Sequence, residues 1–107
     1  MIFLHVLSLL GIAQKAGKLV SGQDTVERMA LSNKLFLIIV AEDASSNTKE
    51  KMANISKSKK IPIFFLGNSA QLGHAIGREE RKVIGIIDRG FAKELINRIN
   101  LLTGVGN

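Results

Sequence analysis

Leu35-Phe36-Leu37-Ile38-Ile39-Val40-Ala41 is an unbroken apolar, β-prone run whose length suits a strand and is too short for a helix. A strand wetted on one face alternates apolar with polar residues. This one does not, so both faces are covered and the strand belongs near the centre of a sheet with helices on either side.

Downstream, Ser45 or Ser46 can cap a helix carrying Thr48, Lys49, Lys51, Met52, Ile55 and Lys57. Lys59-Lys60 then leads into a second strand, Ile61-Pro62-Ile63-Phe64-Phe65-Leu66, with its proline near the start, where a missing donor costs least. Gly67 ends it. Asn68 with Gln71 three residues on has the form of a capping box for a short helix through Ala75 and Ile76, closed by Gly77. The charged loop Arg78-Glu79-Glu80-Arg81 precedes a further strand, Lys82 to Asp88. Asp88 can cap a last helix with Phe91, Leu95, Ile96 and Ile99 inward.

Upstream, Phe3, Val6, Leu7, Leu10 and Ala13 recur at helical spacing. The apolar start lacks a basic residue ahead of it and is too short to span a bilayer, so it reads as a buried amphipathic helix of a soluble chain. A short strand over Leu19, Val20 and Ser21 follows, then a helix opening at Gln23 and Asp24. The order is α-β-α-β-α-β-α-β-α: an α/β, three-layer α/β/α sandwich around four strands. We expect one domain over residues 1–102 and a frayed tail over 103–107.

The chain has 107 residues, enough for one real core and too few for two. It has no cysteine, which removes disulfides, thiolate metal sites and a cysteine nucleophile. Lone His5 and His74 do not make a metal cluster, and no cofactor is expected. The net charge of +6 suits a polyanionic partner. Residues 1–48 are balanced, so the excess lies in 49–107, which hold eleven basic and five acidic side chains. Five Phe with apolar neighbours, and no Trp or Tyr, do not suggest an aromatic stacking platform.

Three chemistries compete for the remaining motifs. Glu42-Asp43 and Asp88 end strands, where α/β proteins commonly bind ligands, but the carboxylates and lysine of a phosphoacceptor are missing and such acids more often cap helices. Gly11, Gly17 and Gly22 lack the spacing of a dinucleotide fingerprint, and His74 has no catalytic neighbours in sequence. No catalytic residue is assigned. The second chemistry is a docking module whose basic helix, Lys49, Lys51, Lys57, Lys59 and Lys60, binds a protein partner or general ribosomal RNA during ribosome assembly. The third rests on Ser21-Gly22-Gln23-Asp24, where a residue without a Cβ is followed by an amide and a carboxylate at the positive end of a helix, a geometry that can offer polar groups to an RNA base edge. Those residues also make an ordinary capping box, with Ser21 and Asp24 satisfying helix-end donors.

Four motifs in order, Leu10 to Gly22, Val40 to Thr48, Leu72 to Gly77 and Asp88 to Ala92, resemble the ribosomal L-seven-Ae and L-thirty-e superfamily, and within it the small bacterial YlxQ-like ribosomal proteins. The resemblance implies a mixed-sheet sandwich that binds kink-turn RNA, an internal loop with tandem sheared G·A pairs. It carries guanine-reading positions onto Gly22, Gln23 and Asp24, with Glu27 or Arg28 one turn on. A second contact surface falls on Ile76, Gly77, Arg78, Glu79, Glu80 and Arg81. Lys18, Arg28, Arg78 and Arg81 would lie near phosphates. Glu27 stands where the family usually has a basic residue, and Arg78 and Glu80 where it often has apolar ones. The implied partner is ribosomal or other structured RNA, with the ribosome a further candidate. The absence of cysteine is compatible with a reducing cytosol, and a cytoplasmic monomer is expected.

Overall fold

The computed structural model describes residues 2–104. Nine elements follow one another: α1 (Ile2–Lys15), β1 (Leu19–Ser21), α2 (Gln23–Leu31), β2 (Leu37–Val40), α3 (Ser46–Lys59), β3 (Ile63–Phe65), α4 (Ser69–Ala75), β4 (Val83–Ile86) and α5 (Arg89–Thr103). The order is the expected one; β1 has the expected bounds, and the ladders of β2, β3 and β4 are shorter than their apolar runs. Helix α5 reaches Thr103, one residue past the expected domain boundary, and Gly104 caps it in the left-handed conformation. The rest of the tail expected to fray, 105–107, lies outside the described residues.

The strands form one mixed sheet in the order β1-β4-β2-β3. Strand β2 pairs parallel with β3 and antiparallel with β4, and β1 pairs antiparallel with β4. The Leu35–Ala41 run is therefore internal, and all four of its ladder residues are buried. Period-2 alternation divides its side chains between two cores. Leu37 and Ile39 join Ile84 and Ile86 under Val6, Leu10, Leu72 and Leu95 of α1, α4 and α5. Ile38 and Val40 join Val83 under Val26 and Ala30 of α2 and Met52 of α3. These are the three layers.

Local capping sets where the helices begin. Ser45 Oγ accepts from Thr48 N at 3.1 Å at the head of α3. Asn68 and Gln71 close the expected capping box on α4, and Asp88 Oδ2 accepts from Phe91 N at 2.9 Å on α5. Registers give the sheet two distinct ends. Ser21 lies opposite Ile84 and Val40 opposite Val83 at one end, whereas Leu19 and Leu37 both lie opposite Ile86 at the other.

Candidate nucleic-acid interface

Strand β1 turns into α2 through Gly22, held at φ 97 and ψ 141, a conformation that side-chain-bearing residues rarely adopt. Its N–H donates to Val83 O at 2.9 Å, which ties the turn to the head of β4. Gly22 is itself the N-cap and supplies no side-chain cap, so the capping box expected from Ser21 does not form. Ser21 is still in the ladder with β4, and its hydroxyl instead accepts from Arg81 Nε at 3.0 Å.

The amide of Gln23 is anchored on one side. Thr48 Oγ1 donates to Gln23 Oε1 at 2.8 Å, and Ser45 Oγ donates to Thr48 Oγ1 at 3.1 Å, so the α3 cap and the head of α2 share one hydrogen-bonded chain. With its oxygen so engaged, Gln23 has its NH2 group left to donate. Gly22, Gln23 and Thr48 line one wall of a hollow of about 380 Å3, and Glu80, Arg81 and Lys82 line the other. A second hollow of about 540 Å3, bounded by Gly77, Arg78, Glu79 and Arg81, adjoins it through Arg81. The two surfaces named from sequence therefore meet at one side chain. Arg81 also donates from Nη1 to Glu80 O at 2.7 Å, which fixes the guanidinium between them.

The loop carrying Arg78 to Arg81 is held tightly against α4. Arg78 N donates to Gly73 O at 2.8 Å and Arg81 N to Ser69 O at 3.0 Å. A Cβ on Gly73 would stand 2.6 Å from Glu79 O, so only glycine allows that approach. Neighbouring acids and bases alternate here: Arg78, Arg81 and Lys82 stand among Asp24, Glu79 and Glu80. This corner is polar and nearly charge-balanced, which suits directional hydrogen bonding better than bulk attraction.

Not every residue singled out from sequence reaches this corner. Asp24 is exposed in the first turn of α2, beside the hollow. Glu27 turns toward α3 and pairs with Lys51 Nζ at 3.1 Å. Arg28 is exposed five residues beyond Gln23, about 8 Å along the helix axis. Lys18 lies at the opposite end of β1, where its carbonyl accepts from Ile87 N at 3.0 Å, so it cannot share a phosphate with Gln23. Ile76 is 5 % exposed, packed into the core beneath α1, and cannot stack on a base. Thr48 and Lys82 line this hollow but were not among the candidate residues named from sequence. Thr48 sat inside a matched motif at the head of the helix after the central strand, which was the available signal; Lys82 stood beside the charged loop and was read as the start of a strand.

Two of the strand-end carboxylates, Asp43 and Asp88, are engaged within the fold, and Glu42 is exposed. Asp43 Oδ1 accepts from Ser69 N and Oδ2 from Ser69 Oγ, each at 2.9 Å. The Ser69 hydroxyl, helped by the backbone N–H bond and a smaller attraction to Lys82, holds the Asp43 carboxyl below its ordinary value against the cost of desolvation. Among the described residues no cluster of His, Asp and Glu could hold a metal ion, and no helix is long and apolar enough to cross a membrane.

The same architecture recurs in known proteins. The RNA-binding protein YlxQ of Bacillus subtilis is 39% identical over 92 residues, covering 86% of this chain and 92% of that one. A solved structure of a protein with unknown function from Bacillus halodurans C superposes with a TM-score of 0.87 at 39% identity, covering 89% of this chain and 96% of that one. The 15.5kD RNA binding protein of Giardia lamblia shares the fold at a TM-score of 0.81 and 20% identity, over 94% of this chain and 89% of that one. Since residues 5–96, which include β1, the Gly22 turn and the Arg78–Arg81 loop, also match its family model, the chain belongs to the ribosomal protein L7Ae/L30e/S12e/Gadd45 family.

Proposed function

We propose that this chain is a non-catalytic RNA-binding protein that recognises kink-turn RNA, in ribosomal or other structured RNA, acting as a cytoplasmic monomer. The observation that carries the reading is the Gln23 amide, anchored through Oε1 by Thr48 at the rim of a hollow whose other wall bears Arg81 and Lys82. An amide held this way donates, and guanine O6 and N7 accept. The Asp24 carboxylate beside it accepts, and guanine N–H groups donate. A sheared G·A pair leaves guanine edges open to both. Arg78, Arg81 and Lys82 supply cations for the phosphates around the kink. Family membership and the name of the B. subtilis relative support RNA as the partner.

The engagement of Asp43 with Ser69, and of Asp88 with the head of α5, favours a structural role for both carboxylates over a metal or phosphoacceptor site. On α3, Lys51 is paired with Glu27 and Lys59 Nζ lies 3.4 Å from Asn33 Oδ1, which weakens a protein-docking role for the whole helix while leaving the exposed Lys57 for nonspecific attraction to RNA.

The test compares binding of a kink-turn duplex with the same duplex after its G·A pairs are replaced by Watson–Crick pairs, at two salt concentrations. The kink-turn is expected to bind more tightly, and Gln23→Ala is expected to reduce that preference by about 1–3 kcal/mol. Equal affinity for the two duplexes would leave only nonspecific attraction, which falls steeply with salt.

A further inference from the structure

At the end of the sheet away from Gly22 lies another hollow, of about 390 Å3. Its floor is Leu35, Phe36 and Pro62, from the segments that lead into β2 and β3; Phe36 N donates to Ile86 O and Ile38 N to Pro62 O, which fixes this as the far end of the sheet. Lys59 and Lys60 reach it from α3 on one face, and Arg89 and Lys93 from α5 on the other. No carboxylate lines it. The nearby acids are engaged elsewhere: Asp88 caps α5, and Glu94 pairs with Arg98 at 3.0 Å.

Fold stability explains only half of this charge. Lys59 and Lys60 close α3 at the negative end of its dipole, where cations are favourable. Arg89 and Lys93 stand in the opening turns of α5, at the positive end, with no acid in the first turn. They are also like charges four residues apart, a spacing that destabilises a helix. Neither forms an ion pair among the described residues. Lys60 itself sits at φ 59, a left-handed conformation in which glycine would be less strained. Arg89, by contrast, is held in place: its guanidinium carbon lies 4.9 Å over the ring centre of Phe36. A placed guanidinium among three further cations, around a dent with an apolar floor, is a complement for a sugar-phosphate chain.

We infer that this hollow is a second RNA-contacting site, gripping the phosphates of an RNA segment outside the kinked loop, so that the protein touches RNA at both ends of its sheet. The inference takes RNA as the partner from the proposed function, but it does not depend on kink-turn preference.

The double variant Arg89→Ala, Lys93→Ala, made in the full chain, changes two exposed side chains and keeps good helix formers in α5. Its affinity for an oligouridylate is expected to fall about tenfold, with the slope of log affinity against log salt shallower by about 1.4, or about 0.7 for each lost contact. Its preference for the kink-turn over the Watson–Crick duplex should stay unchanged, whereas Gln23→Ala should lose that preference and keep its oligouridylate affinity. In the unmodified protein, oligouridylate should shift the amide NMR signals of Phe36, Arg89 and Lys93. Unchanged oligouridylate affinity and salt slope in the double variant would overturn the inference, as would shifts confined to the Gly22 corner. Shifts at these three amides with polyglutamate but not with oligouridylate would overturn it in favour of an acidic protein partner.

Discussion

Thr48 occupies one lone pair of Gln23 Oε1 and so fixes which way the amide NH2 points, which makes the specificity proposed for this site depend on a hydroxyl that need not touch RNA. Thr48→Val keeps the shape and removes the hydroxyl, freeing the Gln23 amide to rotate. We predict a smaller loss of kink-turn preference than for Gln23→Ala, with a stability cost of about 1 kcal/mol for one part-buried hydrogen bond. Paired binding and urea titrations of the two variants check this; equal binding losses would mean that Thr48 does more than orient the amide. Asp43 gives a second test at the same scale. Its carboxyl is held below the ordinary value chiefly by the Ser69 hydroxyl, so the folded state favours the ionised form. The stabilisation is therefore fully present above the unfolded value of about 3.9 and is lost as pH falls through the lowered folded value. Ser69→Ala should move the Asp43 titration back up toward its ordinary position in a carboxyl-carbon NMR titration. A midpoint that does not move would remove the hydroxyl as the cause.

Two glycines decide whether whole elements meet, and for different reasons. At Gly22 there is space for a Cβ, with nothing within 4 Å, but φ is 97. Gly22→Ala should cost about 1–3 kcal/mol through backbone strain alone and should blunt kink-turn preference by misdirecting the head of α2. A denaturant midpoint that drops at constant m-value, alongside weaker discrimination, is the expected pattern. At Gly73 a Cβ would stand 2.6 Å from Glu79 O and 2.8 Å from Glu80 Cα. Gly73→Ala must push the charged loop off α4, costing about 1–3 kcal/mol and parting Arg81 from Ser21. Loss of the exchange-protected Arg81 Nε–H signal in NMR would report that separation, and its persistence would show that the loop accommodates the methyl group.

Across the whole molecule, the proposed reading and holding surfaces differ in charge. The polar corner proposed to read bases is nearly balanced, while the excess of cations comes from residues 49–107, including α3 and the start of α5. Selectivity and overall affinity should therefore respond to different substitutions. Lys57, exposed on α3, lines neither hollow of the polar corner. Lys57→Ala should weaken binding to every RNA by a similar factor and lower the salt slope by about one, leaving the kink-turn preference intact. Should Lys57→Ala and Gln23→Ala act alike on both duplexes, the division between reading and holding is wrong.

Element order, the two-sided burial of Leu35 to Ala41 and the caps at Ser45, Asn68 and Asp88 were legible in the chain because each depends on residues within a few positions of one another. Periodicity and capping are local, so a linear reading reaches them. The interface itself was legible only in part. Glycine, amide and acid at the head of α2 stand out locally, but Thr48 meets Gln23 across 25 positions and Arg81 meets Ser21 across 60. Those meetings follow from strand pairing: β1 lies against β4, which sends Ser21 to one end of the sheet and Lys18 to the other. Side-chain direction was equally out of reach at Ile76, which a loop reading leaves outside and helix packing against α1 turns inward. Pairing partners and packing faces are chosen by competition among all the apolar surfaces at once, and no short window of sequence contains that competition.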